Sequence, residues 1–128
     1  MWDIGKLKGN DKFCDIYEGN DVILKIKENP TINIRIGESF FYEVFRKPPL
    51  HGLGWCGFTR DYHEMKGAFN SGEEGISEIV NPKEYLEDIM QYKDKDFMCE
   101  ETSEVFELIT DFLRYAIETK QTVIVKVE

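Results

Sequence analysis

The chain has 128 residues, of which 41% are hydrophobic and 13% aromatic, and it carries a formal net charge of −9. This length predicts a single domain spanning residues 1–128 with its own core, and the apolar content is too high for a disordered chain. The negative charge argues against a nucleic-acid-binding protein, because phosphate contacts need lysine and arginine. No apolar run approaches the roughly 20 residues of a membrane-spanning helix, and the first residues lack the layout of a secretory signal.

The cysteines indicate the compartment. Cys14, Cys56 and Cys99 are odd in number and widely spaced, a pattern that does not suggest a disulfide framework. We therefore expect a cytoplasmic protein, since the cytoplasm keeps thiols reduced.

The first third of the chain predicts β-strands. Residues 13–17 precede a cluster of turn formers, and in residues 22–27 every second side chain is apolar, as in a half-buried strand. A third alternating run covers residues 31–36, and a fourth, residues 39–45, is aromatic enough to be buried on both faces. Short connections between successive strands favour an antiparallel meander.

The middle of the chain is less regular. Prolines and glycines interrupt residues 46–57, and Trp55 within them could fold onto the core or line a groove. Residues 58–65 could form a fifth strand or a short helix capped by Thr59, and periodicity does not decide between the two.

The last third predicts two helices. The first has Asn81 as its N-cap and Pro82 as its first residue. Its expected apolar stripe is Tyr85, Leu86, Ile89 and Met90, and its expected outward residues are Glu84, Glu87, Asp88 and Gln91. The second helix, capped by Thr102 or Ser103, has apolar residues spaced by threes and fours as far as Ile117.

A final strand is predicted over residues 122–127, where three valines share one face. The sheet must bury one face under the two helices. The sequence therefore predicts an α+β fold, with an antiparallel sheet of about five to six strands (the N-terminal meander plus the C-terminal strand) packed against two C-terminal helices.

Acidic residues are concentrated in one segment. Residues 73–107 contain twelve acids and three bases, an imbalance that equals the net charge of the whole chain. An ordinary exposed helix interleaves lysine with glutamate, so this excess favours a surface that binds a cationic partner. Charged helix faces are also common without any partner, and that simpler interpretation stays open.

Three groupings of side chains could carry chemistry instead. His51, Cys56 and His63 could hold zinc with Cys14 or Asp61, but no Cys-x-x-Cys or His-Glu-x-x-His spacing accompanies them. Cys56 and His63 could form a nucleophile pair, and paired carboxylates could bind a hard metal ion. Because no motif supports these sites, the sequence predicts no catalytic residues, no metal and no cofactor.

Two stretches resemble bacterial immunity proteins, which are encoded beside contact-dependent growth-inhibition toxins. The similar residues are 57–64 and 85–92, together with Phe97, residues 100–102 and residues 108–113. The resemblance spans roughly residues 57 to 117 and is one of pattern. It implies a cytoplasmic protein, not an enzyme, that binds the toxic C-terminal domain of a cognate effector and blocks its active site. Many such toxins are nucleases with a basic substrate cleft that an acidic inhibitor can occupy.

On this hypothesis, carboxylates pair with lysine and arginine of the toxin, and two tyrosines expected to be exposed fill the centre of the interface. The expected partner-binding residues are Asp61, Tyr62, Glu64, Glu73, Glu74, Tyr92, Asp94, Asp96, Glu100 and Glu101. The partner is a toxin domain with a basic surface, with no direct contact to nucleic acid or membrane. Two alternatives are an acidic adaptor unrelated to toxins and a small metal-dependent hydrolase.

Overall fold

A computed structural model describes residues 4–13, 20–45, 57–64, 67–69, 75–79, 81–94, 96–97 and 100–127. Within these ranges the helices are α1 Ile4–Leu7, α2 Glu38–Phe45, α3 Gly57–His63, α4 Pro82–Met90 and α5 Glu100–Glu118, with a 3₁₀ turn at Gly67–Phe69. The strands are β1 Asn10–Phe13, β2 Asp21–Ile26, β3 Asn29–Gly37, β4 Ile76–Ile79 and β5 Val123–Val127. The fold is α+β, as predicted.

The five described strands form one mixed sheet in the order β1-β3-β2-β5-β4. β2 pairs with β3 and with β5, and β5 pairs with β4, all antiparallel. The alternating runs predicted around β2, β3 and β5 are therefore confirmed as strands. The predicted first strand, residues 13–17, lies outside the described residues except for Phe13. The described strand β1 pairs with β3 and runs parallel to it, so the sheet is not wholly antiparallel.

One face of the sheet is buried under the helices. Val22, Leu24 and Val123 on this face are fully buried, and they belong to the same apolar cluster as Phe41 of α2 and Phe112 of α5. On the opposite face, Arg35 forms an ion pair with Asp21 at 3.0 Å. The structure is thus a layer of helices on a sheet, and the core lies between them.

The predicted strand over residues 39–45 is wrong, since these residues form most of helix α2. Phe41, Val44 and Phe45, spaced by three and one, are buried, whereas Tyr42 is exposed. A short segment rich in aromatic residues fits the period of a helix as well as that of a buried strand. The ambiguous segment after it is helix α3, and Thr59 lies inside this helix, not at its cap.

Helices α4 and α5 confirm the two predicted C-terminal helices, with corrections at their boundaries and faces. α4 begins at Pro82 after Asn81, although the Asn81 side chain makes no capping hydrogen bond. α5 begins at Glu100, before the predicted cap, and Thr102 donates its hydroxyl hydrogen to Glu43 of α2 at 2.9 Å. Asp88, predicted to face outward, is fully buried.

The two helices pack against each other in opposite directions. Asn81 and Pro82 at the start of α4 line one groove together with Ala116 and Ile117 near the end of α5. The end of α4 and the start of α5 therefore lie at the other end of the helical pair, which is where the acidic residues of the connecting segment are found.

Candidate functional site

Four of the predicted carboxylates lie around the connection between α4 and α5. Asp94, Asp96, Glu100 and Glu101 are all exposed. None of them forms a hydrogen bond or an ion pair with any residue that the structure describes. We call these four residues the acidic end. Because their charges are not neutralised by described side chains, they are available to a cationic partner.

Further along α5 the acids are partly neutralised. Lys12 of β1 lies 3.4 Å from Glu104, and both side chains are largely exposed. Lys6 of α1 lies 2.8 Å from Asp111. Exposed ion pairs of this kind contribute little to stability, but they reduce the local negative charge. Unpaired carboxylates are therefore concentrated at the start of α5, although the exposed Glu107 also has no described partner.

Asp61, which the sequence assigned to the partner surface, is already bound within the protein. Its carboxylate accepts a hydrogen bond from the Tyr85 hydroxyl at 2.5 Å and pairs with Arg60 at 3.0 Å. Arg60 also pairs with Glu84 at 2.7 Å. Burial and the hydrogen bond to Asp61 raise the pKa of the Tyr85 phenol. This network joins α3 to α4, so Asp61 has a structural partner, and Tyr85 lies in the core as predicted.

Tyr92 was predicted to be exposed, and this is wrong. Its side chain is only 6% exposed, and its ring packs edge-on against Phe45 at a centroid distance of 5.8 Å. The Tyr92 hydroxyl shares a hydrogen bond of 2.8 Å with the hydroxyl of Thr59. Tyr92 is therefore part of the contact between helices and not an anchor on the surface.

Asp88 is the centre of this buried contact, and the sequence analysis missed it. Its carboxylate accepts hydrogen bonds from the Thr59 amide and hydroxyl at 2.8 and 2.7 Å, and from Gln91 Nε2 at 3.3 Å. Burial raises the pKa of Asp88 to about 6, while the hydrogen bonds from Thr59 oppose this shift. The spacing of Tyr85, Asp88 and Tyr92 by three and four residues, which places them on one helical face, was the signal available.

Tyr62 of α3, which was predicted to be exposed, is half-buried. Its ring contacts Phe69 edge-on, and it lies 5.5 Å from the ring of Tyr42, which is 41% exposed. Glu64, one residue past the end of α3, is exposed. The exposed aromatic residue on this surface is therefore Tyr42, next to the half-buried Tyr62.

The remaining candidates lie largely outside the described residues. These are Glu73 and Glu74, the loop residue Trp55, and Cys14, His51 and Cys56 of the alternative sites. His63 is described, and its Nε2 lies 2.9 Å from the Phe45 carbonyl oxygen. Among the described residues, no group of three or more histidine, cysteine, aspartate or glutamate side chains is placed to hold a metal ion.

Comparisons with models of protein families, with curated protein sequences and with solved structures found no match. Within the described ranges, every helix is too short or too polar to cross a lipid bilayer. The acidic end, between α4 and the first turn of α5, holds four exposed carboxylates without a described partner.

Proposed function

We propose that this chain is an immunity protein that acts in the cytoplasm, where it binds the C-terminal toxin domain of a contact-dependent growth-inhibition effector. The acidic end contacts lysine and arginine residues of the toxin, which is a nuclease with a basic cleft. Binding covers the cleft and excludes the nucleic acid substrate. The resemblance of residues 57–117 to immunity proteins supports this function, and the contact with the toxin lies at Asp94, Asp96, Glu100 and Glu101.

The observation that supports this most directly is the exposure of these four carboxylates without a described partner. Glu100 and Glu101 have a second explanation, because acids in the first turn of a helix stabilise its positive end. Asp94 and Asp96 precede α5 and are not in its first turn, so helix stabilisation accounts for them less well. Grouping like charges costs folding energy, and a cationic partner would relieve that repulsion.

An unpaired acidic surface also has a kinetic consequence. Charges of one sign steer an oppositely charged protein, and association can reach about 10⁸ M⁻¹ s⁻¹ at low salt. An inhibitor that must reach its toxin before the toxin reaches nucleic acid benefits from such a rate. The steering weakens as salt is added, because the Debye length falls to about 10 Å at 0.1 M.

The test is to express this chain together with the C-terminal domain of an effector encoded beside its gene, and to measure growth and nuclease activity. Asp94→Lys should slow association with that domain at least about threefold at low salt. Asp11→Lys is the matched control, because Asp11 is exposed on β1 and its substitution changes the net charge equally.

Three results are informative. Protection by the unaltered chain, with slower association for Asp94→Lys alone, supports the proposal. Equal rates for the two variants, or rates that salt does not change, would remove the acidic end from the mechanism. Tight binding to a basic protein without any toxic activity to block would favour the adaptor alternative.

A further inference from the structure

The exposed Tyr42 and the half-buried Tyr62 form an aromatic pair on the helical layer. The rings of Tyr42 on α2 and Tyr62 on α3 lie 5.5 Å apart at an angle of 55°. Tyr42 is 41% exposed, and among the large hydrophobic side chains that the structure describes only Ile76, at 49%, is comparably exposed. Ile76 lies on β4 at the edge of the sheet, so it does not extend this aromatic pair.

Tyr62 is held in place by the core beneath it, and its ring in turn contacts Tyr42. The Tyr62 ring packs edge-on against Phe69 at 5.5 Å, and Phe69 in turn stacks on the buried Phe41 at 5.4 Å. Tyr62 also contacts His63 edge-on at 5.6 Å. A tyrosine whose rotamer is fixed by packing loses little conformational freedom on binding, which is a property of residues that dominate interfaces.

A carboxylate accompanies the two rings. Glu38 and Tyr42 are four residues apart on α2 and so lie on the same face of the helix. Burial, and next the negative charge of Glu38, raise the pKa of Tyr62 to about 12. Glu38 is therefore close enough to act on the second ring of the pair. The Tyr62 phenol therefore keeps its proton at neutral pH. The exposed ring of Tyr42 is accessible to a cation.

We propose that Tyr42, Tyr62 and Glu38 form a binding subsite for one arginine side chain of the basic protein partner. The guanidinium group lies over the exposed face of Tyr42 while Glu38 neutralises its charge. This inference rests on the proposed function, since it supplies the aromatic anchor for the same basic toxin. It differs from the predicted anchor pair, because Tyr42 takes the place of the buried Tyr92.

Arginine is the chemistry that fits best. Its planar guanidinium stacks on aromatic rings and is more weakly hydrated than the ammonium of lysine, so it loses less on leaving water. The subsite offers one negative charge and the exposed ring of Tyr42, supported by Tyr62, and these match a single planar cation. An acidic side chain would be repelled by the carboxylate of Glu38, and a neutral one would leave its charge without a counter-ion.

The test uses fluorescently labelled nona-arginine and nona-lysine peptides as probes, and measures their binding by fluorescence anisotropy at about 100 mM salt. Tyr42→Ala should weaken nona-arginine binding roughly three- to tenfold, and Glu38→Gln should weaken it by a smaller factor. Tyr42→Phe, which keeps the ring, should bind within about twofold of the unaltered chain. Ile76→Ala removes an equally exposed apolar side chain elsewhere and should change nothing.

Tyr42 is exposed, so the melting temperature of Tyr42→Ala should stay close to that of the unaltered chain, which separates loss of binding from loss of folding. As a second readout, adding arginine methylamide should shift the ring-proton NMR signals of Tyr42 and Tyr62 more than adding lysine methylamide does.

The outcomes distinguish this subsite from the proposed function. If Asp94→Lys weakens nona-arginine binding and Tyr42→Ala does not, the subsite is wrong and the acidic end stands. If Tyr42→Ala weakens binding but the chain protects against no toxin domain, the subsite stands and the immunity function is wrong. Equal binding of both peptides, unaffected by Tyr42→Ala, would overturn the arginine assignment.

Discussion

Asp88 on α4 accepts two hydrogen bonds from Thr59 on α3, one from its amide to Oδ2 and one from its hydroxyl to Oδ1. Both residues are fully buried. The amide of Thr59 belongs to the first turn of α3, where backbone N–H groups have no acceptor within the helix. Asp88 therefore caps α3 from a neighbouring helix, and the same contact fixes α3 on α4.

Asp88→Ala should lower the free energy of unfolding by about 2–4 kcal/mol, because the buried amide and hydroxyl of Thr59 lose their acceptor. Glu87→Ala is the matched control, since Glu87 is the adjacent residue of α4 and is exposed. That control should change stability by less than about 0.5 kcal/mol. Urea denaturation followed by circular dichroism measures both. Similar stabilities for the two variants would show that α3 is held by other contacts.

The pH dependence of stability provides a second prediction for the same residue. Burial raises the pKa of Asp88 from 3.8 to about 6, with the carboxylate of Asp61 adding to the shift and Thr59 opposing it. The folded protein thus holds a proton that the unfolded chain releases. The resulting stabilisation is complete below about pH 4 and is lost as the pH rises through 6, and it amounts to at most about 3 kcal/mol.

We therefore expect the unaltered chain to lose more unfolding free energy between pH 4 and pH 7 than Asp88→Asn, whose side chain does not titrate. The comparison removes the contribution of the other carboxylates, which both proteins share. Parallel pH profiles for the two proteins would mean that Asp88 titrates near its ordinary pKa. The carboxyl carbon shift of Asp88 in an NMR titration reports the pKa directly.

The parts of the fold that the sequence predicted correctly have strong local periodicity. In β2, β3 and β5 a branched apolar residue occupies every second position, and α5 buries Val105, Ile109 and Phe112 at helical spacing. Helix α2 was missed because its aromatic run fits either period. The parallel pairing of β1 with β3 depends on how the chain returns to the sheet, which no local pattern specifies.

The same distinction applies to the candidate site. Asp94 and Asp96 lie in a polar segment between two apolar stripes, so their exposure followed from the sequence. The burial of Asp88 and Tyr92 could not be predicted from the sequence, because their partner Thr59 is 29 and 33 residues away along the chain. A carboxylate on a helix is normally exposed, and only a distant donor makes its burial possible.

The ion pairs of Arg60 provide a prediction at the edge of the same contact. Arg60 binds Asp61 and Glu84 and donates a hydrogen bond to the Tyr85 hydroxyl at 3.1 Å. Arg60→Met should destabilise the protein by about 2–3 kcal/mol, because Asp61 keeps a largely buried charge without its cation. Lys83→Met removes an equal charge from an exposed position and should have an effect below about 0.5 kcal/mol.

Thermal and urea unfolding at low and moderate salt measure the Arg60 effect. Salt should reduce it only partly, since the Asp61 side chain is only 13% exposed. If Arg60→Met and Lys83→Met prove equally stable, the ion pairs of Arg60 contribute as little as ordinary exposed ion pairs do. The contact between α3 and α4 is then held by Asp88 and by apolar packing.

Two glycines with the same backbone conformation test how closely α3 approaches α4. Gly57 at the start of α3 and Gly9 before β1 have φ angles of +56° and +57°. A Cβ at Gly57 would lie 2.7 Å from the Cβ of Asp88 and 3.1 Å from the Cα of Tyr85, whereas a Cβ at Gly9 would meet nothing within 4 Å. Alanine at either position must adopt an unfavourable left-handed backbone conformation. Only at Gly57 would its Cβ also collide with neighbouring atoms.

Gly9→Ala should therefore lower the unfolding free energy by about 1–2 kcal/mol, the cost of a left-handed conformation for alanine. Gly57→Ala should lower it by about 1–3 kcal/mol more, because the helices must separate and the bonds between Thr59 and Asp88 lengthen. The difference between the two variants, measured by urea denaturation, isolates the close approach from the backbone strain. Equal losses would mean that α3 can move away from α4 at little cost in free energy. The hydrogen bonds between Thr59 and Asp88 could then lengthen without destabilising the protein.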